Sequence, residues 1–283
     1  MSSMRSAFLS LLFLSAALPA SADMLEDIGA AQKIRLAVRA DAPPFSSMAA
    51  NGVPEGYSVG LCRAVAEEIG LQLKLPKLAI EYVTVSATDR FDAIVEGKAD
   101  LLCEATTATL ARRALVDFSI PTFISGASIV IREGGPKDLS ELKGQRIGVL
   151  DGTTTEEGLR TTLAMQKVEA EVVLAKTHEE GLDLIEKGDI AAYFADRTIL
   201  VYLLDQRPAP ATKLVVADNY LTSETYALAL PRGEDDLRLA IDRALSHLYR
   251  SGAVGKIFLD AFGEKAKPTA LQRNLYRISG LPE

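Results

Sequence analysis

Short apolar runs alternate with amphipathic stretches along most of this 283-residue chain. IRLAVRA (34–40), IEYVTVSA (80–87) and DLLCEA (100–105) have the length of strands, and the first two carry β-branched residues. Between them LCRAVAEEIGL (61–71) is amphipathic at helical spacing and ends at Gly70, and RFDAIVEGK (90–98) predicts a shorter helix. The order repeats downstream, with strands at ASIVIR (127–132), RIGVL (146–150), AEVVLAK (170–176) and IAAYFAD (190–196) and helices between them. Such alternation predicts α/β layers with largely parallel sheets.

The pattern breaks twice. FSIPTFISGAS (118–128) interrupts it with proline, glycine and serine, and NYLTSETYALAL (219–230) is a second extended crossing. The last helical piece, DDLRLAIDRALSHLYRSG (235–252), sets Leu237, Ile241, Leu245 and Leu248 on one face and ends at or breaks on Gly252. It is too short for a domain and is expected to pack back on the first block. The prediction is a bilobal α/β protein with two crossover strands, a hinge and a cleft. Lobe 1 takes residues 23–123 and 227–283, lobe 2 takes 127–220, and the hinges fall at about 124–126 and 221–226.

At the N-terminus, Arg5 precedes an apolar run from Ala7 to Ala20 and the small-x-small sequence Ala20–Ser21–Ala22. This is the layout of a cleavable signal peptide over 1–22, so an exported, periplasmic protein is expected. About 260 remaining residues suit one large domain or two lobes. A formal charge of −7 argues against nucleic acid or an anionic membrane as the main partner, but not against a small anion. Cys62 and Cys103 are the only cysteines. In an exported chain they read first as a disulfide, the alternative being two buried thiols. With only His178 and His247 to join them, the cysteines show no metal-ligand spacing, and neither a metal nor a cofactor is expected.

Two stretches carry candidate chemistry. CEATTATLARR (103–113) puts three threonines ahead of Arg112 and Arg113 in what reads as the first turn of a helix capped by Thr109. Cations there oppose the helix dipole unless an anion joins them. A guanidinium grips a carboxylate with two parallel hydrogen bonds, and a threonine hydroxyl adds a third. Arg113 has a structural partner four residues on, Asp117. In VLDGTTTEEGL (149–159), Thr153 with Glu156 and Thr154 with Glu157 each fit a capping box. The same turn can serve as an anion site at Thr153 or Thr154, with Gly152 letting backbone approach closely.

APPFS (42–46), GVPEGYSVGLCRAVAEEIG (52–70), ATTATLARR with VDFSIPTF, GQRIGVLDGTTTEEGL and GDIAAYFADRTIL together resemble the periplasmic polar amino-acid-binding proteins of ABC importers. These are the bacterial extracellular solute-binding proteins of family 3, and the glutamate/aspartate-binding type is nearest. The resemblance implies the type II bilobal fold, an amino-acid ligand, an inner-membrane ABC permease as partner, and a monomer. It implies that Thr107, Arg112, Thr153 and Thr154 hold the ligand's α-carboxylate and Asp196 its α-ammonium. Arg39, Arg90 and His178 match the basic cluster around a second carboxylate, so an acidic amino acid is expected. Physically, a neutral ligand side chain would leave those charges unpaired in a closed cleft.

The chain departs from that pattern at Ala87 and Ala105, where serines are frequent, at Ala111 and Gly60, where acidic residues are frequent, and at Glu104, where glycine is common. Strand alternation is expected to turn Glu104 away from the cleft; facing it, the residue would repel a dicarboxylate. Other readings are a different polar or opine-like ligand, or a cyclohexadienyl dehydratase-like enzyme using Asp196, His178 or Glu104. The expectation is a binding protein and not an enzyme.

Overall fold

The computed structural model describes residues 23–136, 138–208, 213–218 and 220–283. The stretch expected to be a signal peptide, 1–22, lies outside them. Two five-stranded sheets organise the chain. In the first, strands run in the order Ala79–Val85, Lys33–Arg39, Leu101–Leu102, Ala229–Pro231, Val116–Phe118. In the second the order is Glu171–Ala175, Arg146–Leu150, Ala192–Asp196, Ala127–Arg132, Leu214–Val216. The first three strands of each order are parallel, and the fourth runs antiparallel to both of its neighbours. In each case that antiparallel strand directly follows a crossing of the chain from the other sheet. The crossing segments, Phe123–Ser125 and Glu224–Tyr226, pair with each other antiparallel. The protein therefore has two α/β lobes with a two-stranded connection between them.

The helix that covers the first sheet, Tyr57–Gln72, begins four residues before the predicted stretch. Gly56 sets its start with φ 122°, and a Cβ there would lie 2.5 Å from the Phe45 carbonyl oxygen, so only glycine allows this entry. The tail helix Asp235–Ser251 packs on it, with Leu237, Ile241, Leu245 and Leu248 all buried in the same core as Leu61, Val65 and Ile69. Each such side chain contributes about 2 kcal/mol of apolar burial. The helix ends at Gly252 in the left-handed conformation (φ 80°), as the sequence predicts.

Cys62 in the covering helix is disulfide-bonded to Cys103, just past the first sheet's central strand. The bond closes a loop with a sequence separation of 41, worth roughly 4 kcal/mol in the chain-entropy model. That strand is shorter than the predicted 100–105: it spans only Leu101–Leu102. Beyond it the backbone bends, with the Thr106 N–H donating to the Glu104 carbonyl at 3.1 Å. Strand alternation therefore no longer governs which way Glu104 points.

Candidate ligand site

The helix expected after ATTAT is a single turn, Leu110–Arg113, capped by Thr109, whose Oγ1 accepts from the Arg112 N–H at 3.1 Å. One turn has little macrodipole, so the two arginines are less badly placed than a longer helix would make them. Arg113 lies over the Phe118 ring at 5.6 Å, while Asp117 accepts from the Gly233 N–H. The expected Arg113–Asp117 pair does not form, because the helix stops before position i+4. Arg112 turns inward. Its Nη1 donates to the Thr107 carbonyl at 2.9 Å, and its guanidinium stacks 5.0 Å from the Phe91 ring centre. Arg90 lies 4.8 Å from the centre of the same ring.

From the second lobe, helix Thr154–Gln166 starts at the cleft. Thr153 is its N-cap, accepting from the Glu156 N–H at 3.2 Å, and Glu156 reaches back to the Gly152 N–H. Only the Thr153 half of the expected box forms, Glu156 bonding one residue ahead of the cap, and Thr154 is left to face the first lobe. Gly152 has φ 70°, and a Cβ there would lie 3.1 Å from Thr88 Cγ2 and 3.3 Å from the Ala87 carbonyl oxygen, both across the cleft. Its own carbonyl accepts from Arg90 Nη2 at 3.2 Å, a bond that joins the lobes. Gly152→Ala is expected to weaken ligand affinity about tenfold, from left-handed strain plus crowding that exists only when the lobes meet. Calorimetry on the variant checks this; unchanged affinity would mean the close approach has no role.

All eight expected ligand residues, Arg39, Arg90, Thr107, Arg112, Thr153, Thr154, His178 and Asp196, line one cavity between the lobes. In this closed form its volume is about 20 Å³, room for about one water. His178 is the first residue of the helix His178–Lys187, capped by Thr177. It is buried, with Nδ1 3.1 Å from the Tyr193 hydroxyl, and burial, helped by Arg39, pushes it down to about 3. It is therefore a neutral imidazole near neutral pH, able to donate or accept but not to supply the positive charge that the sequence suggested.

The acidic residues hold the larger surprise. Glu104 is 1% exposed and faces the arginines, not away from them. Its Oε1 is 3.1 Å from Arg90 Nε and accepts from Thr106 Oγ1 at 2.5 Å, and its Oε2 accepts from Arg39 Nη1 at 3.4 Å. Arg39 also donates to Asp41 from Nε at 2.9 Å, so each of the two guanidiniums has a carboxylate partner within the first lobe. Burial works against the Arg39 charge, but Glu104 and Asp41 outweigh it and hold the group above its ordinary value. Arg90 is pulled down to about 10 by burial, with Glu104 opposing. Arg112 is lowered by burial too, against the pull of Glu104, Glu157, Glu224 and Asp196.

Glu224, in the crossing strand Glu224–Tyr226, was not foreseen. It accepts hydrogen bonds from Thr107, from Thr154 Oγ1 at 2.9 Å and from Thr222 Oγ1 at 3.0 Å. It thus ties a first-lobe threonine to a second-lobe one. Local sequence gives no signal for this, since TSETY reads as any polar edge strand. Asp196 ends the strand Ala192–Asp196 with Oδ1 buried and lacking a well-formed hydrogen bond. Burial, then the Glu224 charge, pushes it up to about 7, while the neighbouring Tyr226 and Ser125 hydroxyls pull it down. The cavity thus presents Arg112 and threonine hydroxyls at one place and a buried carboxyl at another, complementary to a zwitterion.

Residues 34–264 match the model of the bacterial extracellular solute-binding proteins, family 3. The L-glutamate/L-aspartate-binding protein of Pseudomonas aeruginosa is 30% identical over 233 residues, 82% of this chain and 77% of that protein. The glutamate/aspartate import solute-binding protein of Salmonella typhimurium is 26% identical over 257 residues, 90% of this chain and 85% of its own length. A solved structure of an ancestral arginine-binding protein bound to glutamine superposes with a TM-score of 0.72 at 27% identity, over 82% of this chain and 98% of the other. With its two α/β lobes in the type II arrangement, the chain belongs to the bacterial extracellular solute-binding proteins of family 3.

Proposed function

We propose that this protein is the periplasmic substrate-binding component of an ABC importer, exported behind its N-terminal leader. It closes two lobes on one polar α-amino acid and hands it to an inner-membrane permease. The observation that carries this is the convergence of Arg112, Thr107 and Thr154 with Asp196 on one interlobe cavity. Arg112 and the hydroxyls take the α-carboxylate, and Asp196 takes the α-ammonium. Both lobes contribute, so the ligand makes more contacts when they are closed, which is what couples binding to closure. In this role the Glu224 carboxylate holds Thr107 and Thr154 until the ligand carboxylate replaces it.

An acidic side chain is the reading supported by the relatives named for glutamate and aspartate, together with Arg39 and Arg90 in the cavity wall. One observation favours a second reading, an uncharged polar side chain: Glu104 and Asp41 already face those two guanidiniums. Calorimetry and thermal shift against acidic, amide, hydroxyl and basic L-amino acids test the function. A response to none of them would remove it, and turnover of prephenate or arogenate would replace a receptor with an enzyme.

A further inference from the structure

We infer that Glu104 is the specificity-determining residue of the cleft. By compensating Arg39 and Arg90 from within the protein, it makes the side-chain end of the cavity a site for an uncharged polar side chain and disfavours a carboxylate. This rests on the amino-acid function proposed above and narrows it. Glu104 contacts Arg90, Arg39 and Thr106, and its backbone carbonyl accepts from Ser58 Oγ at 2.9 Å. All four partners belong to the first lobe, so opening the cleft does not release it. Two guanidiniums therefore meet two carboxylates, Glu104 and Asp41, and the charges balance before any ligand arrives. What stays open is hydrogen-bonding capacity: Arg90 Nη1 is buried without a partner. An amide or hydroxyl oxygen satisfies that donor without adding charge. A ligand carboxylate would place a second anion beside Glu104 in a closed, water-poor cavity, which is the arrangement that rejects a ligand by repulsion.

The test is calorimetry near neutral pH on the wild type, Glu104→Gln and Glu104→Gly. The ligands are L-glutamine, L-asparagine and L-serine against L-glutamate and L-aspartate. The wild type should bind its best uncharged ligand about a hundredfold tighter than either acid, and Glu104→Gln should shift that ratio toward the acids by a similar factor. Glu104→Gly should move it the same way and serves if the glutamine variant misfolds. The wild-type panel itself needs no variant. A wild type that prefers glutamate or aspartate overturns the inference, as does a ratio unchanged in both variants. If no amino acid binds any of the three proteins, the amino-acid function itself fails, a distinct result that takes this inference with it.

Discussion

Arg112→Ala should weaken binding of every amino acid at least about thirtyfold, whatever its side chain. The expectation follows from what Arg112 faces. Its guanidinium is half-buried on the cavity wall, anchored by the Thr107 carbonyl and by Phe91, and so already oriented when a carboxylate arrives. A preorganised, charge-assisted pair loses little entropy on forming. Removing one partner leaves the ligand's α-carboxylate desolvated against threonine hydroxyls alone, a loss of about 2–5 kcal/mol, or roughly thirtyfold to several thousandfold in affinity. The ligand-free protein should be little affected, because burial already opposes the Arg112 charge. Thermal unfolding separates the two effects: a ligand-free midpoint near wild type with a much reduced ligand-induced shift is the expected result. If any one amino acid keeps wild-type affinity, the carboxylate grip lies elsewhere.

Asp196→Asn should remove the ammonium partner and cost at least about a hundredfold in affinity. It should also leave a signature in pH that a structural role would not. In the ligand-free protein the Asp196 carboxyl is held up at about 7 against an ordinary 3.8. Between those values the folded state keeps a proton that the unfolded state releases, so this group lowers stability progressively as pH rises from about 4 to about 7. His178 works in the opposite sense. Its folded value of about 3 lies below the ordinary 6.5, so it raises stability as pH climbs through that window. The two trends overlap, and a wild-type curve alone does not separate them. The difference between wild type and Asp196→Asn does: the variant should be the more stable near pH 8, by a few kcal/mol at most, with the gap closing below about pH 4. A gap independent of pH would remove the buried, protonated carboxyl from the account. Binding should mirror it, with wild-type affinity falling as pH drops below about 7 because the ammonium requires the ionised form.

How much of this was legible beforehand depends on the range of the interaction concerned. Strands at 34–40, 127–132, 146–150 and 170–176 matched to within a residue or two, because a half-buried strand or a helix face writes its period into neighbouring positions. The two interruptions in that period marked the segments that pair between the lobes. Thr109 and Thr153 as N-caps followed from hydroxyls placed three residues ahead of an N–H that needs an acceptor. The eight cavity residues were another matter. They come from six separated stretches, and it was resemblance to a family, not spacing, that suggested they meet.

What the chain determined by itself was therefore its layering, its two crossings, its caps and the residue types available to hold a zwitterion. Tertiary structure alone decided the electrostatics. Glu104 was expected to point away because alternation was extended past Leu102, where a bend ends it. The sequence places His178 in a basic cluster, and burial together with the Arg39 charge keeps it neutral. Glu224 reaches Thr107 and Thr154 from 117 and 70 positions away respectively. Charge acts through space and solvent exposure, neither of which a local pattern encodes, so the sign of the pocket had to wait for the fold.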